Sequence, residues 1–373
     1  LIHFTLNNSN LHYQIGLTFL HGIGPKKASL LVSKLGSVEA VFHEKLPLIH
    51  AKTGIGKSVL KQIDRKNALI KAETEANYCV KHNIQTHFYL DPNYPRRLKQ
   101  CDDAPLLLYS KGQFSSNPEK SVAIVGTRNA TKYGSELCEE LISHLTSSNI
   151  QIISGMAYGI DIIAHQLSVK HGIETLGILG HGLDRLYPSA HRKTAEMMFS
   201  NGGLLTEFIP GTKPDRENFP MRNRIVAGLS DATIVVESKN SGGSLITAEL
   251  ANDYNRDVFA FPGNVGQQYS AGCNQLIKQQ KAQMILNADD FLTQMGWDKE
   301  HLEEKSGVQR SCLIELDNLE QTILQSLQSA ENDHIDVISF KTKIPISTLN
   351  VKLFHLEMKG IIKALPGKKY AIV

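Results

Sequence analysis

Apolar positions in the first seventy residues fall at helical spacing, with Ala28, Leu31 and Leu35 on one face of a predicted helix. Pro25 suits its first turn and Gly36 the position after its end. Between about 121 and 296 the pattern becomes short apolar runs alternating with amphipathic stretches. Strands are predicted at 122–125, 151–154, 175–179, 204–208, 233–237 and 258–261. Helices are predicted at 135–147, 159–170, 189–200, 219–229 and 244–255. This βαβα order implies an α/β, mostly parallel, doubly wound sheet with right-handed crossovers. Residues 78–120 are a proline-broken lead-in, whose run at 106–109 is placed to add a strand to that sheet. A charged polar stretch, 297–315, separates a tail of three helical segments and a terminal hairpin, the pattern of a winged helix. The domains so defined are 1–77 (helical), 78–296 (α/β, lead-in 78–120), a linker at 297–315, and 316–373 (winged helix).

In open parallel sheets ligands bind outside the carboxyl ends of the strands. Here those ends carry Gly126-Thr127-Arg128, Ser154-Gly155, Gly180-His181-Gly182, Glu207, the run Lys239 to Ser244 and Pro262-Gly263. The turn from 122–125 into the next helix gathers backbone N–H groups and positive dipole, with Arg128 beside them. That is a phosphate site. A dinucleotide fits it poorly, because G-x-G-x-x-G is absent and Ser154-Gly155 stands where a ribose-binding acid would. Phe219-Pro220-Met221-Arg222-Asn223-Arg224 instead brings an aromatic face and two arginines to a helix start, which suits phosphates with bases attached. The competing reading makes Phe219 a core residue and one arginine a bridge to Glu207 or Asp231.

Two glycine hairpins in the helical region, Gly22-Ile23-Gly24 and Gly54-Ile55-Gly56, resemble a pair of helix-hairpin-helix units. Such hairpins offer amides to a nucleic-acid phosphate, with lysines nearby; a packing role in a protein-docking module explains them equally. Gly-Ile-Gly-Lys-Ser is not a P-loop, since Ala51 stands where the first glycine is needed and no strand precedes it.

No catalytic or metal constellation emerges. His165, His171, His181 and His191 lack ligand spacing, Ser154 lacks a nucleophile elbow, and Asp161 reads as a capping residue at a helix start. Glu207 and Glu249 have no visible acid–base partner. The net charge of +3 permits an anionic partner without demanding one. Five scattered cysteines without a C-x-x-C pair read as reduced thiols of a cytosolic protein. With no long apolar run, no membrane span is expected. In the tail's third helix, Leu349, Leu353 and Leu356 line one face, and Val351, Phe354 and Met358 the opposite one. A helix apolar on two sides suits protein contact better than a wet, anionic groove.

The central motifs resemble those of the DprA/Smf family of natural transformation. The carriers are Gly126-Thr127-Arg128 with Tyr133-Gly134, Ser154 to Asp161, Gly180 to Asp184 with Tyr187-Pro188, Phe219 to Ser230, Ser241 to Ala248, Pro262-Gly263 and Gly272 to Ile277. The resemblance implies an extended Rossmann-like domain flanked by an N-terminal helical (SAM-like or helix-hairpin-helix-like) domain and a winged helix. It also implies no enzymatic activity and no cofactor. The partners implied are single-stranded DNA, the RecA recombinase, a second copy of the chain and single-strand binding protein. Carried over by motif, Arg128 holds a phosphate, Phe219 stacks on or wedges against a base, and Arg222 and Arg224 line the pocket. Asn223, Ser154 and Ser244 supply neutral hydrogen bonds, with Gly126, Thr127, Gly155, Lys239, Ser241 and Gly242 completing the interface. The chain departs from the family pattern at Ser238, usually alanine, and at Lys281-Ala282, where glycine usually follows the Asn-x-Leu-Ile helix. A nucleotide-processing enzyme of a related fold is the alternative, although its P-G-G-x-G-T signature is absent.

Overall fold

The computed structural model describes residues 2–297, 316–328, 333–365 and 369–372, with side chains from residue 10 onward. Six helices come first: α1 (Ile2–Thr18), α2 (Pro25–Leu35), α3 (Val38–His43), α4 (Leu46–Thr53), α5 (Lys57–Lys61) and α6 (Arg65–Lys81). Gly36 ends α2 in the left-handed conformation at φ 92°, as its C-terminal position requires. The boundary expected after residue 77 falls inside α6. The core of the helical region also continues into the sheet, where Leu106, Leu107 and Tyr109 join Leu31, Phe42 and Leu60. Residues 1–299 therefore form one compact unit.

After α6 come β1 (Gln85–Phe88), α7 (Arg96–Lys99), β2 (Leu107–Gln113), β3 (Lys120–Val125), α8 (Lys132–His144), β4 (Ile150–Gly155), α9 (Ile160–Lys170) and β5 (Thr175–Ile178). The unit continues with α10 (Arg192–Met198), β6 (Gly202–Thr206), α11 (Asn218–Leu229), β7 (Ala232–Val235), α12 (Gly243–Asp253), β8 (Asp257–Ala260), α13 (Ala271–Lys278), β9 (Gln283–Met284) and α14 (Ala288–Met295). The nine strands lie in the order β1-β2-β6-β5-β4-β3-β7-β8-β9. All pairings from β6 to β9 are parallel. The lead-in supplies the other edge: β2 pairs antiparallel with β6, and β1 with β2.

Alternate residues of each central strand serve opposite faces, as the pleat dictates. Val122 and Ile124 meet α8, α9 and α14 through Leu141, Ala164 and Phe291. Ala123 and Val125 meet α11, α12 and α13 through Ile225, Ala248 and Leu276. The chain winds outward from β3 through β4, β5 and β6, then returns to place β7 on the other flank of β3. The reversal leaves a crevice beyond the carboxyl ends of β3 and β7, a topological switch point.

Residues 300–373 form a second unit. The linker expectation falls largely on 298–315, outside the described residues. From 316 on, α15 (Asn318–Gln328), β10 (Asp333–His334), α16 (Ile335–Thr342) and α17 (Ile346–Met358) precede the hairpin β11 (Ile362–Leu365) and β12 (Lys369–Ile372). In α17, Leu349, Leu353 and Leu356 are fully buried, whereas Val351, Phe354 and Met358 are exposed. The two apolar faces are therefore one core face and one open face.

Candidate functional site

At the switch point lies a cleft of about 770 Å³. Its walls come from the β3–α8 loop, the start of α9, the start of α11 and the β7–α12 loop. The loops hold one another by backbone contacts. Thr127 N–H donates to the Glu237 carbonyl at 2.8 Å, and Ile160 N–H to the Thr127 carbonyl at 3.1 Å. Gly159 takes φ 78°, and a Cβ there would overlap the Thr127 carbonyl. The Glu237 carboxylate, buried at the end of β7, accepts from Thr131 N–H at 2.9 Å and from its hydroxyl at 2.6 Å. Gly134 leaves room for that carboxylate. Thr131 also caps α8, accepting from Gly134 N–H. Glu237 thus fastens the phosphate-type turn to the neighbouring strand. Nothing in the sequence marked it beyond its place at a strand end.

Gly126, Thr127, Arg128, Gly155, Phe219, Arg222, Asn223, Lys239, Ser241, Gly242 and Ser244 all line the cleft. The exposed Arg128 guanidinium lies over the Phe219 ring, 5.5 Å from its centroid. Lys239 sits over Tyr269 at 4.9 Å, and the Tyr269 hydroxyl accepts from Asn129 Nδ2 at 3.2 Å. Ser244 donates to Ser238 Oγ at 2.9 Å, so the unusual Ser238 braces the β7–α12 loop.

Two expected residues do not face the cleft. Ser154 is fully buried and donates to the Ile124 carbonyl at 2.6 Å, tying β4 to β3. Arg224 turns away, forming a largely buried ion pair with Glu207 and donating to the Asp103 carbonyl. For Arg224 the bridging reading is the one realised; Asp231 is taken by Arg97, which grips both carboxylate oxygens. Asp161 stands in the first turn of α9, as its place at a helix start implies, and there it is buried on the cleft wall, accepts from Ala157 N–H and shares its field with Arg222.

Arg222 is the floor of the site, 5% exposed, with Nη1 donating to the Ile178 carbonyl at 2.6 Å and Nε without a partner. Burial lowers its pKa, and Arg128 pushes the same way against Asp161. Burial raises Asp161, against the pull of Arg222 and the Ala157 amide. Both side chains crowd Gly155, where a Cβ would overlap Arg222 Nη1 and Asp161 Oδ2. The lining also includes Arg216, from a polar loop that carried no motif. Arg128, Arg216, Arg222 and Lys239 therefore face one carboxylate, Asp161. Such a cleft attracts a polyanion.

The histidines serve packing. His165 is fully buried between the Gly155 carbonyl and the Thr175 hydroxyl, each at 2.7 Å; His191 meets the Met156 carbonyl at 2.9 Å. Among the described residues no group of His, Cys, Asp and Glu is placed to hold a metal, and no helix is long and apolar enough to cross a membrane. Cys79, Cys101, Cys138 and Cys273 are free thiols. Glu249 pairs with Lys281 at 3.1 Å on the surface.

Comparison with known proteins agrees with this architecture. Residues 85–296 match the model of DNA recombination-mediator protein A, and residues 312–368 that of the DprA winged helix domain. Protein Smf of Synechocystis is 30% identical over 97% of this chain and 99% of its own length. DNA processing protein DprA of Streptococcus pneumoniae is 40% identical over 55% of this chain and 72% of its own. The solved structure of DprA from Streptococcus pneumoniae superposes with a TM-score of 0.64 at 31% identity, covering 76% of this chain and 97% of that one. DNA processing protein A of Helicobacter pylori, solved for insight into its single-stranded DNA binding mode, gives 0.51 at 29% identity, covering 57% and 95%. This chain belongs to the DNA recombination-mediator protein A family, DprA/Smf.

Proposed function

We propose that this protein binds single-stranded DNA in the switch-point cleft and acts as a recombination mediator in DNA uptake. The observation that carries the reading is the clustering of Arg128, Arg216, Arg222 and Lys239 around glycine-rich loops, with Phe219 beside them. Cations on such loops suit a phosphate chain, and an aromatic ring suits the unstacked bases that only a single strand offers. The single-stranded DNA binding mode described for the Helicobacter pylori relative supports the assignment.

In this reading the bound strand is protected and passed to RecA, with the protein acting as a homodimer and meeting single-strand binding protein on the DNA. The open face of α17 contacts protein rather than duplex. The reading makes the protein a binder and no enzyme, which the engagement of Glu207 by Arg224 supports. Fluorescence anisotropy with oligonucleotides across a salt series tests the DNA step, and affinity should fall steeply as salt rises. Absence of single-strand binding at low salt would overturn it. RecA-driven strand exchange on DNA coated with single-strand binding protein tests the second step, which should accelerate when this protein is added.

A further inference from the structure

The matched family region begins at residue 85 and leaves the helical bundle before it without an assigned role. That bundle is the basic part of the chain. Residues 1–84 hold eleven Lys and Arg against five Asp and Glu, a net of +6, although the whole chain carries +3. The segments 20–35 and 50–63 contain Lys26, Lys27, Lys34, Lys52, Lys57 and Lys61 and no carboxylate, and all six lysines are exposed.

The sequence echo between these segments is also a structural one. Gly22 and Gly54 both take left-handed conformations, at φ 74° and 70°. Ile23 and Ile55 follow, each 6% exposed, and anchor their hairpins in one core. Gly24 and Gly56 come next, extended at φ −80° and −57°. The hairpins are neighbours, since a Cβ on Gly22 would touch Val59 Cγ1 at 3.5 Å. Lys27 Nζ donates to the Gly22 carbonyl at 3.0 Å, and Lys26 pairs with Asp102 on the surface, at 3.1 Å.

Packing explains the isoleucines and backbone conformation explains Gly22 and Gly54. Neither explains Gly24 or Gly56. Their φ values suit any residue. A Cβ would meet nothing within 4 Å at Gly24, and only Ser58 Oγ at 3.7 Å at Gly56. A side chain is missing where the fold would accept one, so the backbone lies bare on a lysine-rich surface. Bare amides among cations are what a phosphate backbone approaches closely.

We infer that the twinned hairpins form a second, sequence-independent contact for the phosphate backbone of DNA, made by residues that do not line the switch-point cleft. The test uses the full chain, fluorescein-labelled single-stranded and duplex oligonucleotides, and a salt series. The variant K52Q/K57Q/K61Q should bind about tenfold or more weakly, and its log–log salt slope should fall by about 2 to 3, at roughly 0.9 per lost phosphate contact on duplex and 0.7 on single strand. Loss confined to one oligonucleotide identifies the form held. The equal-charge control K45Q/K66Q/K81Q, outside both segments, should change the slope by less. Gly24→Leu with Gly56→Leu should weaken binding at unchanged melting temperature, by blocking the approach. Hydrogen exchange should slow at 22–27 and 54–58 when oligonucleotide is added, a readout that needs no substitution. Unchanged affinity, slope and exchange on both oligonucleotides would overturn the inference. Arg128→Ala separates it from the cleft reading: if that variant binds normally while K52Q/K57Q/K61Q does not, the cleft reading fails and the hairpin contact stands.

Discussion

The guanidinium of Arg128 rests over the ring of Phe219, 5.5 Å from its centroid, at the mouth of the switch-point cleft. The ring holds the cation where a phosphate would meet it, and a cation–π contact at such a site contributes about 0.5–1 kcal/mol. Arg128→Ala should weaken single-strand binding by about ten- to a hundredfold, the range of a charge-assisted hydrogen bond at roughly 1.5–3 kcal/mol. Phe219→Leu should also weaken it. A double-mutant cycle measured by anisotropy should show coupling of about 0.5–1 kcal/mol; strict additivity would mean the two act independently.

Arg224 is expected to behave in the opposite way. Its partner Glu207 is largely buried, and removing one member strands the other, at a cost of about 3–5 kcal/mol. Arg224→Gln should lower the melting temperature clearly in calorimetry. The salt slope of DNA binding should stay as in the parent protein. A changed slope with unchanged stability would move Arg224 back among the DNA contacts.

Gly155 tests how tightly the cleft floor is built. An alanine methyl would overlap both Arg222 Nη1 and Asp161 Oδ2. Neither side chain is a free end, because Arg222 is held by the Ile178 carbonyl and Asp161 by the Ala157 amide. Gly155→Ala should cost about 1–3 kcal/mol in urea unfolding, the usual range for overpacking. Binding should fall with it, because Arg222 must shift.

Stability should fall in mild acid. Burial pushes the His165 imidazole down to about 4 from an ordinary 6.5, against the upward pull of the Gly155 carbonyl. Nε2 must donate to that carbonyl, and full burial keeps the native ring neutral. Between pH 6.5 and 4 the unfolded chain takes up a proton that the native state refuses. The contribution is complete above about 6.5 and is lost as pH falls toward 4, to a total of about 3 kcal/mol. Melting temperature against pH should slope downward there, and less steeply in His165→Asn. Identical slopes would remove His165 as the cause.

Much of this protein was legible in the residues because the relevant physics is local. Short apolar runs ending in Gly126, Gly155 and Ser238 marked strands and the ends that border the cleft, and the βαβ order dictated a switch point. The lead-in strand at 106–109 and the two apolar faces of α17 were readable for the same reason, although only the fold showed which of those faces is core. The boundary after 77 was misplaced because α6 and β2 share a core that joins residues distant in sequence. Glu237 and Arg216 escaped notice because each matters only through loops that folding brings together.

Arg128 at the phosphate-type turn needed only its neighbours in the chain to be placed in the cleft. The pair on α11 needed the fold. Phe219, Arg222, Asn223 and Val226 recur at helical spacing and face the cleft; Arg224 lies two residues from Arg222, about 200° around the helix. A sequence states that both arginines share a helix start. Only the rotation of that helix against the sheet, set by Ile225 and Leu229 entering the core, decided which one faces the cleft and which one meets Glu207.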